Sequence, residues 1–149
     1  MDFRTIAVLG AGAMGSGIAQ LLAQCGFAVN LCDRDSSVLA KSAANIRRRL
    51  DAQAQRGNLS EAELKAAHGA LRTVESLAEA CTAELIIEAV PEKIELKKSL
   101  FAELDRAAPT NALLASNTSG LDIDQLAAAT ERTNALSACT FSTRRRACH

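Results

Sequence analysis

The 149-residue sequence has no excess of either charge, no long apolar run and no paired-cysteine motif, and each lack narrows what it can be. Seventeen basic side chains balance seventeen acidic ones, which gives no ground for nucleic-acid binding. No apolar run approaches the length that spans a bilayer, so no membrane segment is expected. The five cysteines, Cys25, Cys32, Cys81, Cys139 and Cys148, are odd in number and include no C-x-x-C pair. That disfavours a disulfide framework and a thiolate metal site and suits a reducing cytoplasm, with Cys25 and Cys32 expected as small core residues. The first apolar run starts within a few residues of Met1, leaving no room for a secretory or transit leader, so cytoplasmic residence is the expectation. What remains is an ordinary soluble composition, 48% apolar and 23% charged, in a chain long enough to bury one core.

The most informative stretch is residues 4–33, RTIAVLGAGAMGSGIAQLLAQCGFAVNLCD. Ile6, Ala7, Val8 and Leu9 form an apolar run without polar alternation, as in a parallel strand covered on both faces. Gly10, Gly12 and Gly15 then give the G-x-G-x-x-G spacing. Gly10 suits a tight turn off the strand, Gly12 a close approach of backbone to a pyrophosphate, and Gly15 close packing of the next helix on the sheet. Phosphates would sit at that helix N-terminus, among free N–H groups. Ile18, Leu21, Leu22 and Cys25 follow at helical spacing, with Gly26 as a C-cap. A second apolar strand over 28–32 ends at Asp33, the acid expected to bind the adenosine ribose hydroxyls. A carboxylate there would repel a 2′-phosphate, which favours NAD over NADP.

Asp35 or Ser36 caps a helix with Leu39, Ala43, Ile46 and Leu50 on one face. Its other side carries Lys41, Arg47, Arg48 and Arg49, with Arg56 just beyond, either as a solvated face or as a basic rim for a phosphorylated ligand. Ser60 and Glu63 form a capping-box pattern. His68 has no partner in the sequence and reads as a surface residue. A short strand over 71–74 and a turn of helix from Ser76 come next. The apolar run 85–90 is a strand leading into Pro91, then a helix with Leu96, Leu100, Leu104 and Ala108 on its apolar face. Glu88, Glu92 and Lys97 fall at the strand's carboxyl end, where open α/β sheets bind ligands; the bland reading is that Glu92 favours a helix N-terminus and Lys97 is solvated. Residues 112–115 form a further buried strand, and Ser116-Asn117-Thr118-Ser119-Gly120 either caps the next helix or holds ligand polar atoms.

Three blocks, GAGAMGSGIAQLLAQCGFAVNLCD, IIEAVPEKIELKKSLFAELD and LLASNTSGLDIDQLA, resemble the NAD-binding domain of the 3-hydroxyacyl-CoA dehydrogenases, from Arg4 to about Arg132, in family order and spacing. The resemblance implies an α/β, Rossmann-type doubly wound domain with a mainly parallel sheet, occupying residues 1–132. It implies that Gly10, Gly12, Ala13, Met14 and Gly15 cradle the NAD pyrophosphate and that Asp33 holds the ribose. Glu92 and Lys97 would lie along the nicotinamide half. Ser119 would touch both nicotinamide and substrate as the retained catalytic residue, with Asn117 beside the substrate. Arg49 and Arg56 stand where the family contacts coenzyme A. The family oxidises a 3-hydroxyacyl-CoA to the 3-oxoacyl-CoA and is homodimeric through a C-terminal helical domain that this sequence lacks.

The family's next block, His-Phe-Phe-Asn-Pro, carries the histidine that takes the hydroxyl proton. It does not follow here. Residues 133–149 read TNALSACTFSTRRRACH, with three arginines and no acid, whereas residues 1–132 hold fourteen basic and seventeen acidic side chains. With synonymous codons, a shifted frame through Asn134 to His149 can encode Arg-Val-Val-Gly-Met-His-Phe-Phe-Asn-Pro, placing the histidine where Thr140 stands. The expectation is a base lost near the Arg132 codon, a foreign and poorly ordered tail in which Ala135 to Phe141 weakly imitates a strand, and a truncated, inactive dehydrogenase. The alternative is a stand-alone NAD-binding or sensing module.

Overall fold

The computed structural model describes residues 3–118, 123–131 and 136–138. Strand β1 (Thr5–Leu9) leads through the glycine turn to helix α1 (Ala13–Gln24), then β2 (Ala28–Cys32), α2 (Ser36–Gln55), α3 (Glu61–Ala70) and β3 (Leu71–Val74). The second half runs α4 (Leu77–Ala80), β4 (Leu85–Glu88), α5 (Ile94–Ala107), β5 (Leu113–Ser116), α6 (Ile123–Ala127) and β6 (Leu136–Ala138). The six strands pair in parallel in the order β3-β2-β1-β4-β5-β6. That is the doubly wound dinucleotide-binding order, and the direction of winding reverses between β1 and β4.

Alternation along each strand feeds two cores. Ile6 and Val8 of β1 join Val29, Leu31 and Ile87 under α1, α2 and α3. Ala7 and Leu9 face the other way, with Ile86, Leu114, Phe101 and Leu104 under α4 and α5. A strand read without polar alternation is therefore buried on both sides, as expected of a central parallel strand. The capping signals act as the sequence predicts. Asp35 accepts from the N–H groups of Ser37 and Val38 at the start of α2, and Ser60 and Glu63 complete a capping box on α3. Helix α1 ends with Cys25 as its C-cap and Gly26 at φ 87°, and the Phe27 N–H donates to the Leu22 carbonyl across the stop.

Three expectations need correction. Helix α5 does not bury a Leu96, Leu100, Leu104 and Ala108 stripe: Lys97, Phe101, Leu104 and Ala108 are buried, while Leu96 and Leu100 are half-buried. The buried face carries a charged residue, so hydropathy periodicity points about one residue off. Cys32 is a core thiol as expected, but Cys25 is half-buried at the helix end and disulfide-bonded. His68 has a partner, with Nε2 2.8 Å from Asp51 Oδ1 across α3 and α2. Of the 133–149 stretch, Leu136–Ala138 pairs beside β5; the remainder lies outside the described residues.

At the amino ends of the central strands β1 and β4, Glu84 holds the entry to β1. Its Oε2 accepts from the Arg4 N–H at 2.5 Å and the Thr5 N–H at 3.1 Å. The Arg4 and then the Thr5 N–H hold this carboxyl below its ordinary value of 4.5. A depressed folded value adds stability above the unfolded value, and that stability is lost as pH falls through the folded one. The expected outcome for Glu84→Gln is a melting temperature below the parent's at neutral pH, with the gap closing in acid. A gap independent of pH would count against it.

Candidate functional site

The winding reversal opens a cleft at the carboxyl ends of β1 and β4, and the glycine turn forms its floor. Gly10 has φ 100°, and a Cβ there would stand 2.6 Å from the Ala89 carbonyl oxygen just beyond β4. The turn is tied to β2 as well: the Gly10 N–H donates to the Cys32 carbonyl at 2.8 Å, and the Ala11 N–H to Asp33 Oδ2 at 2.7 Å. Asp33 Oδ1 accepts from the Asp35 N–H at 2.9 Å. The half-buried Asp33 carboxylate thus has its backbone side fixed, and each oxygen keeps a further lone pair toward the cleft.

A Cβ on Gly15 would lie 1.7 Å from the Gly10 carbonyl oxygen and 3.5 Å from Ala89 Cβ. The close approach predicted for this glycine is therefore to the turn itself and the end of β4, more than to the strands. A Cβ on Gly12 would meet nothing within 4 Å. The open space beside it, at the N-terminus of α1, suits an anionic group bound by free N–H donors.

The cleft has a volume of about 900 Å³ and brings together Gly10, Gly12, Ala13, Met14, Asp33, Glu92 and Asn117. Gly15 lies behind this wall, buried at the base of α1. Cys32 lines it as a neutral thiol, because burial first and the Asp33 carboxylate second push its pKa up to about 11. A dinucleotide fits the donor set, the carboxylate and the space beside Gly12.

Lys97 lines no part of the cleft. It is fully buried, with Nζ 3.1 Å from Glu88 Oε2 and 3.5 Å from Glu92 Oε2. The reading of Lys97 as a solvated side chain is therefore wrong, since it is paired inside the domain. Glu88, also fully buried, accepts from the Val90 N–H at 2.7 Å and the Ser116 hydroxyl at 2.5 Å. Glu92 reaches the cleft and accepts from the Thr118 hydroxyl. The sequence offers Ser116 and Thr118 only as helix caps or ligand holders; their carboxylate partners on β4 and the turn after it become visible only in three dimensions.

A second pocket of about 430 Å³ lies on the other side of the turn, between the start of α1 and α2. Gly12 and Ala13 face it, together with Lys41, Arg48 and Arg49. Ser42 and Asn45, which sequence reasoning missed, line it too, and the buried Ser42 hydroxyl has no hydrogen-bond partner. Arg56, the C-cap of α2, is exposed and lines neither pocket. Ser119 lies outside the described residues. Among those described, no three His, Cys, Asp or Glu side chains group as a metal site, and no helix is long and apolar enough to cross a membrane.

The two glycines separate folding from binding. Gly15→Ala forces a Cβ into the Gly10 carbonyl and is expected to cost about 1–3 kcal/mol or more in urea unfolding. Gly12→Ala is expected to leave unfolding nearly unchanged while weakening dinucleotide binding. Equal stability losses in the two variants would refute this account.

Residues 5–143 match the family model described as the 3-hydroxyacyl-CoA dehydrogenase, NAD binding domain. The chain is 38% identical over 132 residues to a probable 3-hydroxybutyryl-CoA dehydrogenase of Bacillus subtilis, covering 89% of this chain and 46% of that protein. It is 36% identical over 128 residues to the 3-hydroxyadipyl-CoA dehydrogenase of Escherichia coli, covering 86% of this chain and 27% of that one. The chain therefore spans less than half the length of either relative. Among solved structures, 3-hydroxybutyryl-CoA dehydrogenase of Escherichia coli superposes with a TM-score of 0.93 at 33% identity, over 96% of this chain and 30% of that one. The (S)-3-hydroxybutyryl-CoA dehydrogenase of Ralstonia eutropha gives 0.89 at 31% identity, over 95% and 50%. A match over nearly the whole described domain, on a fold and cleft of this geometry, establishes that the chain belongs to the 3-hydroxyacyl-CoA dehydrogenase NAD-binding domain family and that its cofactor is NAD.

Proposed function

We propose that this chain is the NAD-holding part of a cytoplasmic 3-hydroxyacyl-CoA dehydrogenase and does not turn over by itself. The single observation that carries this reading is the cleft joining Asp33, the open side of Gly12, Glu92 and Asn117. Asp33 accepts from the adenosine ribose hydroxyls, the N–H groups at the start of α1 hold the pyrophosphate, and Glu92 faces the nicotinamide half. Lys97 serves that half from behind, through its pair with Glu92. When bound, NAD supplies the hydride acceptor.

The acyl-CoA substrate enters from the opposite side. Lys41, Arg48 and Arg49 around the unpartnered Ser42 hydroxyl suit phosphate oxygens of coenzyme A, with Arg56 at the outer end of α2. Ser119 and Asn117 meet its reacting end. Among the described residues no histidine lines the cleft, since His68 is paired to Asp51 between α2 and α3. In this reading the family's proton acceptor is the histidine block displaced from the reading frame near Arg132.

In calorimetric titration the folded chain should take up NAD and bind NADP at least about tenfold more weakly, a difference of roughly 1.4 kcal/mol. It should form no steady NADH from 3-hydroxybutyryl-CoA. The absence of heat with NAD in a folded sample, or sustained turnover, overturns the reading. The displaced block is tested in the gene itself. The codons of Cys139 and Thr140 should contain CAC across their junction, and any other sequence there rejects the frame shift.

A further inference from the structure

Lys97 is unusual twice over. It lies on the core-facing side of α5, where a helix presents apolar residues, and its side chain is fully buried. Burying an ammonium costs several kcal/mol, and exchanging a buried ion pair for apolar residues is often neutral or stabilising, so the pair is not accounted for by stability alone. Its partners form a chain of contacts that runs outward. Glu88, with no exposed surface, bonds Lys97, the Ser116 hydroxyl and the Val90 N–H. Lys97 also reaches Glu92, whose other oxygen takes the Thr118 hydroxyl. Glu92, 44% exposed, is the member that lines the cleft.

Two carboxylates share one ammonium in this group. Lys97 stands closer to Glu88 than to Glu92, 3.1 Å against 3.5 Å, so the uncompensated negative charge falls on the exposed carboxylate. Removing the Glu88 charge would leave Lys97 to draw on Glu92 alone and take up the lone pairs that a ligand hydroxyl needs. We propose that Glu88 is a positioning residue for the cofactor: through Lys97 and the Val90 N–H it fixes the Glu92 carboxylate and keeps it free to accept from the nicotinamide half. The proposal rests on the cofactor reading above and adds a residue that never touches the ligand.

The test uses the full chain and two titrants, NAD and ADP, since ADP lacks the nicotinamide half. Glu88→Gln is nearly isosteric, keeps an acceptor for the Val90 N–H and removes the charge, with the Ser116 hydroxyl turning to accept from the new amide. It should weaken NAD about tenfold and leave ADP within about twofold. The double variant E88Q/E92Q should bind NAD no more weakly than E92Q, because Glu88 acts through Glu92. The paired variant E88Q/K97M, which leaves Glu92 unheld, should melt at or above the parent's temperature and still bind NAD more weakly than the parent with ADP unchanged, a combination that a merely structural role would not give. Equal weakening of NAD and ADP in E88Q, or losses that multiply in E88Q/E92Q, overturns the proposal while the cofactor reading stands. A parent chain that binds neither titrant overturns both.

Discussion

The glycine turn is held by backbone on both flanks. Gly10 donates to the Cys32 carbonyl of β2, Ala11 to the side chain of Asp33, and the α-carbon of Gly10 lies against the Ala89 carbonyl beyond β4. The α-carbon of Gly15 closes the arrangement against the Gly10 carbonyl. Three strand ends and one helix start are thereby locked within van der Waals contact, and the floor of the cleft is built mostly from main chain, with the Asp33 carboxylate tying it to the end of β2. Side chains could not replace it, because the spaces are already shorter than a methyl group requires. The free N–H groups of α1 stay aimed at one point in space because the turn beneath them cannot shift.

Asp33 shows why an acid read as a ligand-binding residue also matters to the empty fold. One oxygen serves the turn and the other the start of the segment leading to α2, so the carboxylate is oriented before any ribose arrives. A group held in this way loses little conformational freedom on binding. The same economy appears at the other side of the cleft, where Glu92 is braced by Thr118 and Lys97.

Much of this was legible because it follows from local periodicity and turn chemistry. The bare apolar runs became the central strands, Asp35 and Ser60 capped the helices they precede, and the G-x-G-x-x-G spacing located the turn. The sequence misled where tertiary pairing overrides hydropathy. The bland reading of Lys97 as solvated rests on what lysine usually does, and only the meeting of α5 with β4 brings Glu88 to it. That one buried cation also rotated the predicted face of α5, leaving Leu96 and Leu100 to line the cleft. The role of Ser42 was illegible for a similar reason: a serine between Lys41 and Ala43 gives no sign that its hydroxyl is buried without a partner.

The two recesses flanking the turn differ in charge, and the difference constrains what each can hold. The cleft carries Asp33, Asp35, Glu75, Glu92 and Glu103 against Arg34, so any phosphate in it must be bound by main-chain N–H groups and kept away from its rim. NAD meets that condition, since its phosphates lie at its middle, whereas an additional phosphate on the ribose would face Asp33. The pocket on the far side has Lys41, Arg48 and Arg49 and no acid, and it accepts what the cleft rejects. Gly12 and Ala13 border both recesses, so two phosphate-bearing ligands can approach the same turn from opposite sides without exchanging places. Segregated charge on either side of one rigid turn gives the two recesses opposite preferences for an anion.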